Sequence, residues 1–414
     1  MRISSLLFLF LCGSCDAAVV PPHATAALSV FGIPLEFLLF GVALLCVALF
    51  HKHTLFVALS ALVAIFSYKI FVLHFDWLLH LRHEAMLLLN LLGLLVGFAI
   101  LARHFEDSKI PEALSRFLPR DWRAGLVLLF LIGILSAFLD NIAAALIGAT
   151  LARVVFQGKV HIGFLAAIVA ASNAGGAGSV IGDTTTTMMW IAKVPAVKVL
   201  HAMPGAFVAI LFSGVFAARQ QHRHHPISDF KPHPVTLDWG RVGLVFLILI
   251  GTVLANLFLD FPAAGLWVVL LIGACFRKTA WNEIPNALKG SLFLLSLVLC
   301  ASLMPANELP TASWQTAFGL GFVSSVFDNI PLTKLALDQG GYDWGLLAFA
   351  VGYGGSMIWF GSSAGVALSN VFPETRSVFL WLKHGWHVAV AYLIGFFFIL
   401  WLFGWSPYVH SLER

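Results

Sequence analysis

The sequence predicts an all-α polytopic membrane protein, an inverted repeat with two re-entrant hairpins and two broken helices, about ten spans in all. Three observations carry this. Apolar residues make up 60% of the 414 residues, and Asp, Glu, Lys and Arg only 11%, against about 25% charged in soluble proteins. Mean hydropathy is +0.93, and long apolar runs such as Ala85 to Ala102 are separated by short polar stretches. Two polar motifs recur in the same order in each half. A folded domain of this size cannot hide so much apolar surface from water. A soluble globule, a disordered chain, a nucleic-acid binder and a collagenous fibre are therefore excluded, and a net charge of +4 is too small to imply an anionic partner.

Residues 1–18 read as a secretory signal cleaved near Ala17 or Ala18, with an uncleaved short anchor as the alternative. Arg2 precedes the short apolar run Leu6 to Leu11, and the small residues Gly13, Ser14, Ala17 and Ala18 follow. Cys12 and Cys15 belong to this segment, while Cys46, Cys275 and Cys300 are scattered, so no disulfide framework is implied. Simple apolar segments lie near 29–50, 54–75, 85–102, 197–218, 241–259, 262–276, 291–304 and 378–404. Four regions differ. Segments 124–156 and 312–338 each carry an Asp-Asn pair in the middle, and 162–192 and 343–372 are broken by glycines. The expected organisation is scaffold helices over 29–123 and 241–304, transport elements over 124–192 and 312–372, a further helix at 197–218, and a last helix at 378–404. A cytoplasmic loop at 219–240 holds His222, His224, His225 and His233. It reads as solvated, with pH sensing or metal holding as the sharper alternatives. Glu36 reads as interfacial and Lys69 as snorkelling.

Positive charge sets the orientation, because Lys and Arg are enriched in cytoplasmic loops. Arg103, Lys109, Arg116, Arg120 and Arg123 form one group. Arg219, Arg223, Lys231 and Arg241 form a second, Arg277, Lys278 and Lys289 a third, and Arg376 and Lys383 a fourth. All four fall on one side only if 124–156 and 312–338 enter and leave by the same face. Lys193 and Lys198 fall on the other side, against the trend. The mature N-terminus is then outside, in keeping with a cleaved signal.

The repeat is visible in two motifs. Ser136, Asp140, Asn141 and Ile142 match Ser324, Asp328, Asn329 and Ile330 at the same offsets. Gly175, Gly176 and Gly182 match Gly354, Gly355 and Gly361 in the same way. With the first hairpin entered from the cytoplasm and the second from outside, the halves have opposite topology, a signature of secondary transporters.

These positions also carry the chemistry. No charged residue lies between Arg123 and Asp140, and Arg153 is the next after it. A bare carboxylate near the bilayer centre costs about 3 kcal/mol. A proton, a cation or an ion pair can neutralise it. Lys334 is the nearest basic residue to Asp328, and either an ion pair with Asp328 or a reach to the membrane edge fits it. The bland alternative is an aspartate that caps a helix. The Asn after each Asp offers an amide oxygen to a hard cation such as Na⁺. Pro331 suits the start of a helix just past a hairpin tip. In Asn173-Ala-Gly-Gly-Ala-Gly-Ser-Val-Ile-Gly-Asp183-Thr-Thr-Thr-Thr187 the glycines permit an unwound backbone whose carbonyls can bind a cation. Asp183 adds a third buried acid there. Small residues packed closely between helices would explain the glycines but not Asp183 beside four threonines.

At these residues the sequence resembles the NhaD-type Na⁺/H⁺ antiporters, in the ion transporter superfamily that includes citrate/dicarboxylate and arsenite carriers. The carrying segments are FLDNIAAAL, SNAGGAGSVIGDTTTTMMWI, FDNIPLTKLAL and GYGGSMIWFGSSAGVA, with RHFEDSKIPEALSRFLP from Arg103 to Pro119. The resemblance covers about residues 85 to 404. It implies a scaffold, a moving transport domain, a homodimer in a bacterial inner membrane, and exchange of Na⁺ or Li⁺ for H⁺ with no cofactor. It places Asp140, Asn141, Asn173, Asp183, Asp328 and Asn329 at the ion site, with Thr184, Thr185, Thr186 and Ser362 in support. It departs where Ala143, Ala144 and Ala145 replace hydroxyl residues of the family, whereas Thr333 is retained.

The runner-up function is Na⁺-coupled uptake of an organic anion such as citrate. Acidic hairpin tips oppose an anion, and Lys334 is the one basic residue near them. An intramembrane enzyme is disfavoured. A Gly-x-Gly-Asp protease motif needs glycine where Val180 stands, and His-Glu-x-x-His is absent.

Overall fold

The computed structural model describes residues 28–30, 32–50, 53–114, 118–227 and 236–408. The signal-like segment 1–18, with Cys12 and Cys15, and His233 lie outside the described residues. Apart from a two-residue pairing of Ser29–Val30 with Ile33–Pro34, the regular elements are helical. Among the described residues, six helical segments are long and apolar enough to cross a membrane: Thr54–Phe71, Trp77–Asp107, Ala196–His224, Trp239–Leu259, Trp281–Ser302 and Val378–Phe403. Large apolar side chains such as Phe246, Leu247, Ile250, Leu254, Leu257 and Phe258 face outward along one helix. Such a band is unstable against water and matches lipid. The chain is an all-α polytopic membrane protein.

The helices pack as two groups. One contains α1 (Leu35–Leu49), α2 (Thr54–Phe71), α3 (Trp77–Asp107), α11 (Trp239–Leu259), α12 (Pro262–Ala274) and α13 (Ile284–Ser302). A short α4 (Ile110–Leu114) follows α3. The other group is built from shorter pieces. The pair α5 (Arg123–Ser136) and α6 (Asn141–Val155) is followed by α7 (Ile162–Ala177) and α8 (Thr184–Ile191), separated by an unwound stretch. A short α9 (Ala196–Leu200) leads into α10 (Ala202–His224). Then α14 (Trp314–Ser324) and α15 (Asn329–Gln339) form a second pair, followed by α16 (Trp344–Gly354) and α17 (Ser363–Val371), and α18 (Val378–Phe403) closes the group. The main junctions between groups are α13 on α15 and α3 on α8.

The two ends of the first short pair share a neighbour in α10, and the two ends of the second meet each other. Trp122, before α5, sits under Arg219 at 4.9 Å. His161, after α6, lies 5.4 Å from His224, on the same stretch of α10. At the other end of the molecule, Gln339 of α15 donates to the Pro310 carbonyl just before α14 (2.7 Å). The basic groups after α3 and α10 and before α13 meet at the His161 end. Asp238 N–H donates to the Ser108 carbonyl (3.1 Å), and Arg241 pairs with Asp107 (3.2 Å) and Arg277 with Asp238 (3.3 Å). Lys193 and Asp260 pair at the opposite end, where Lys198 Nζ donates to Ser406 (3.1 Å).

The two halves reuse the same contacts. Ser136 Oγ donates to the Ser172 carbonyl (2.5 Å), and Ser324 Oγ to the Val351 carbonyl (2.7 Å). A Cβ on Gly175 would collide with the Gly133 carbonyl, and one on Gly354 with the Gly321 carbonyl. Each first helix of a pair therefore lies backbone-to-backbone against the helix that precedes a break. The second helices are exchanged: α6 packs on α17, and α15 on α8.

Three local expectations are corrected. Glu36 does not face solvent: it is 2% exposed and meets Lys69 at 3.4 Å. Lys69 therefore does not snorkel. Burying both groups is tolerable only because they are paired. The loop at 219–240 is shorter than its composition suggests, because α10 runs on to His224 and carries His222 with it.

Replacing Gly175 or Gly354 by Val should overpack these crossings and destabilise the protein by about 1–3 kcal/mol or more. The thermal midpoint in detergent measures it. Gly243→Ala, where a Cβ meets nothing within 4 Å, should leave the midpoint unchanged or raise it, since Ala favours the helix.

Candidate functional site

The half-helices end together in the middle of the second group. The C-terminal ends of α5, α7, α14 and α16 bring carbonyl groups that no longer have a helical partner, and the N-terminal ends of α6, α8, α15 and α17 bring free N–H groups. Such ends suit a site that must hold cations beside carboxylates, because the dipoles of opposite helix ends attract opposite charges. Asp140 and Asp328 cap α6 and α15, accepting from Ile142 N–H (3.2 Å) and Ile330 N–H (3.0 Å). The capping alternative is thus correct as far as it goes. It uses one oxygen of each carboxylate. The second oxygen of Asp328 accepts from Ser363 Oγ (3.0 Å).

A buried polar network ties the halves together. Asp183 is 3% exposed. Its Oδ1 accepts from Asn141 Nδ2 (3.1 Å), and its Oδ2 from Thr185 Oγ1 (2.6 Å) and Asn329 Nδ2 (3.4 Å). Asn141 Nδ2 also reaches Asn173 Oδ1 (3.2 Å). Asn173 Nδ2 in turn donates to Ser356 Oγ and Ser362 Oγ, both at 3.0 Å. One carboxylate from the first half therefore receives an amide from each Asp-Asn motif. The site is asymmetric, since Ser362 stands at the repeat position of Asp183 and Gly352 at that of Asn173.

Two cavities reach the tip acids. One of about 460 Å³ runs from Arg103, Glu106 and Glu283 to Asp140. The other, of about 730 Å³, runs from Thr54, Asn286 and Asn370 to Asp328 and Ser363. Ile142, Leu146, Gly290 and Leu294 lie between them, lining both. Both are bounded by the start of α13, the first also by the end of α3 and the second by the end of α1 and the start of α2. A small void lined by Asp140, Asp183, Thr184 and Leu91 joins the first tip to the central acid.

Nine of the ten polar residues singled out from the sequence line these spaces or the network. Thr186 does not: its hydroxyl sits among the Gly176, Ser179 and Asp183 carbonyls (3.4, 2.5 and 3.0 Å), donates to that of Ser179 and so holds the unwound stretch. Ser356 belongs to the network as well, Ser363 holds Asp328, and the repeat offset that relates Gly182 to Gly361 also relates Thr184 to Ser363. Gly361 to Gly365 also spells Gly-x-Ser-x-Gly. A nucleophile elbow needs a strand before the serine. Here an unwound stretch between half-helices precedes Ser363, and its hydroxyl faces Asp328 rather than a histidine. Lys334 pairs neither with Asp328 nor with the membrane edge; it is buried against Glu84 (2.9 Å) and Asp338 (2.7 Å).

The histidines at the basic end form a contact of their own. His161 lies 4.9 Å from His384 and 5.4 Å from His224, but among the described residues no group is placed to hold a metal. Burial, helped by the charges of His384 and His224, pushes His161 down to about 4. The unfolded chain, with a histidine near 6.5, then binds more protons than the folded one. Stability contributed by this group is present above about pH 6.5 and is lost as pH falls toward 4. His161→Gln should flatten the fall in thermal midpoint between about pH 6.5 and 4.

Asn173→Ala removes the bonds to Ser356 and Ser362 and strands buried hydroxyls. It should cost about 1–3 kcal/mol, read as a lower midpoint in detergent. Asn286→Ala, at an exposed side chain on the cavity wall, should stay within about 0.5 kcal/mol.

No protein-family model matches the chain. It is 29% identical over 332 residues to sodium/proton antiporter 1 of Arabidopsis thaliana, covering 68% of this chain and 56% of that protein. It is 26% identical over 357 residues to the Na⁺/H⁺ antiporter NhaD of Halomonas elongata, covering 71% of this chain and 70% of that one. With NhaD of Alkalimonas amylolytica it shares 25% over 380 residues, 78% of this chain and 79% of the relative. The chain thus spans little more than half of the plant relative and most of the bacterial ones. Over most of its length, this chain is similar to the NhaD-type Na⁺/H⁺ antiporters.

Proposed function

We propose that the chain is a secondary transporter that exchanges Na⁺, or Li⁺, for H⁺ by alternating access. The observation that carries this is the pair of half-buried acids, Asp140 and Asp328, each at the tip of a short helix pair and each at the floor of a cavity. Both tips meet the buried Asp183 through their asparagines. The similarity to relatives named as Na⁺/H⁺ antiporters supports the same ion pair.

On this reading the two short pairs are re-entrant hairpins of an inverted repeat, and the second helix group is the moving transport domain against a scaffold of α1–α3 and α11–α13. The adjoining ends of each pair and the repeated serine and glycine contacts support it. Positive loops at the His161 end make that end cytoplasmic, so both cavities face inward. We assign the protein to a bacterial inner membrane as a homodimer, on the resemblance of its motifs.

The mechanism follows from desolvation. A bare carboxylate crosses an apolar barrier at high cost, and a neutralised one at much lower cost. Asp140 and Asp328 meet water in the cavities and can exchange a proton for a hard cation. Asp140 shares a void with Asp183, so a second negative charge beside it favours an occupant of positive charge. Main-chain carbonyls at the broken helix ends, with Asn141, Asn329 and hydroxyls of Thr184 and Ser363, are the oxygen donors within this region. Because proton and cation compete for the same carboxylates, only a loaded domain moves, and the two fluxes are coupled. Anion uptake is not favoured, since Lys334, the cation it would need, is already held by two carboxylates.

Everted vesicles should show a Na⁺-induced collapse of an imposed pH gradient. Asp140→Ala and Asp328→Ala should each abolish it at unchanged protein level. Exchange that persists in both variants would reject these assignments, and uptake of radiolabelled citrate would favour the anion reading.

A further inference from the structure

We infer that Glu84, Lys334 and Asp338 form a breakable latch that closes the outer path to the ion site, with Lys334 passing between a partner on α3 and a partner on its own helix. This rests on the alternating-access reading above and adds to it the element that opens. Lys334 Nζ donates to Glu84 Oε1 across the junction of the two helix groups (2.9 Å) and to Asp338 Oδ1 within α15 (2.7 Å). The Lys334 and Glu84 side chains are 5% and 7% exposed, and Asp338 is 24% exposed. A buried ion pair seldom stabilises a fold more than apolar residues of the same size would, and its attested use is to specify one arrangement over another. Here it spans the boundary that alternating access requires to move.

Position gives the latch its sense. Glu84 lies near the start of α3 and Arg103, at a cavity mouth, near its end. Nineteen residues of helix separate them, about 28 Å at 1.5 Å per residue. The latch is therefore closed at the end opposite the two open cavities. Lys334 is five residues beyond Asn329, whose amide reaches Asp183. Motion of α15 away from α3 thus draws Asn329 with it. Leu91 lies two turns beyond Glu84 on the same face of α3. It is 1% exposed and lines the void between Asp140 and Asp183, so an open latch exposes it from outside.

Asp338 makes the latch reversible. An isolated lysine leaving Glu84 would be a bare charge in an apolar junction. With Asp338 one turn along α15, the ammonium keeps a partner while the junction opens, and Glu84 meets the incoming water. Asp338 and Glu84 thus have opposite effects on opening, although both bind the same ammonium.

The test uses Leu91→Cys in the full chain with Cys12, Cys15, Cys46, Cys275 and Cys300 replaced by Ser. A membrane-impermeant methanethiosulfonate is added to the outside of spheroplasts, and Na⁺/H⁺ exchange is measured in parallel. Glu84→Gln should speed labelling about tenfold by shifting the population outward. The double variant Glu84→Leu/Lys334→Met fills the same space without charge and should do the same, which separates loss of the latch from misfolding. Asp338→Asn should slow labelling, a sign that a merely structural role would not produce. Unchanged labelling in Glu84→Gln and in the double variant, with exchange intact, overturns the latch while leaving the antiport reading in place. These opposite effects in a protein without Na⁺/H⁺ exchange support the latch and remove only the ion assignment.

Discussion

The structure depends on a single buried carboxylate that both halves of the chain address. Asp183 sits in the unwound stretch between α7 and α8 and accepts hydrogen bonds from Asn141 and Asn329. A charge in a low-dielectric interior is tolerated only when paired or fully hydrogen-bonded, so the two asparagines are held in place by the same requirement that keeps Asp183 buried. Half-helices are the only backbone that can deliver them there. A continuous helix would spend its N–H and carbonyl groups on itself, whereas broken ends present theirs to the centre.

Glycine makes that convergence physically admissible. Gly175 and Gly354 let carbonyls of the facing helices come as close as a missing Cβ allows, which draws the first helix of each short pair against the helix before a break. The exchange of partners, α6 on α17 and α15 on α8, then locks the halves into one body. That body meets the first helix group chiefly through α13 on α15 and α3 on α8, and the Glu84–Lys334 bridge crosses the same junction. On the alternating-access reading proposed above, the cavities beside Asp140 and Asp328 and the bridge at the far end belong to one conformation, open toward the basic loops and shut away from them.

Much of this was legible in the sequence. The apolar runs predict the long helices, because in lipid only helices and closed barrels satisfy their own backbone groups, and barrel strands alternate apolar with polar residues where these runs do not. The Asp-Asn and Gly-Gly motifs stand out because polar and flexible residues are costly in such runs, and Asp140, Asn141, Asn173, Asp183, Asp328 and Asn329 do converge. Local sequence misleads where a polar residue has a distant partner. Glu36 and Lys69 look interfacial one at a time, and Lys334 looks like a neighbour of Asp328, yet each is matched by a charge on another helix. Thr186 looks like a ligand beside Asp183, but its hydroxyl is used up by carbonyls of the unwound stretch.

The amino-acid order thus decides which segments are helical, where they break and which polar groups must find shelter, since these follow from local hydropathy and backbone freedom. Only the packed molecule decides how that shelter is provided. Glu84 and Lys334 are 250 residues apart, and Asn173 and Ser362 are 189 apart. No periodicity or spacing encodes such pairs, because they arise when whole helices choose their neighbours to bury apolar area and cancel charge at the same time.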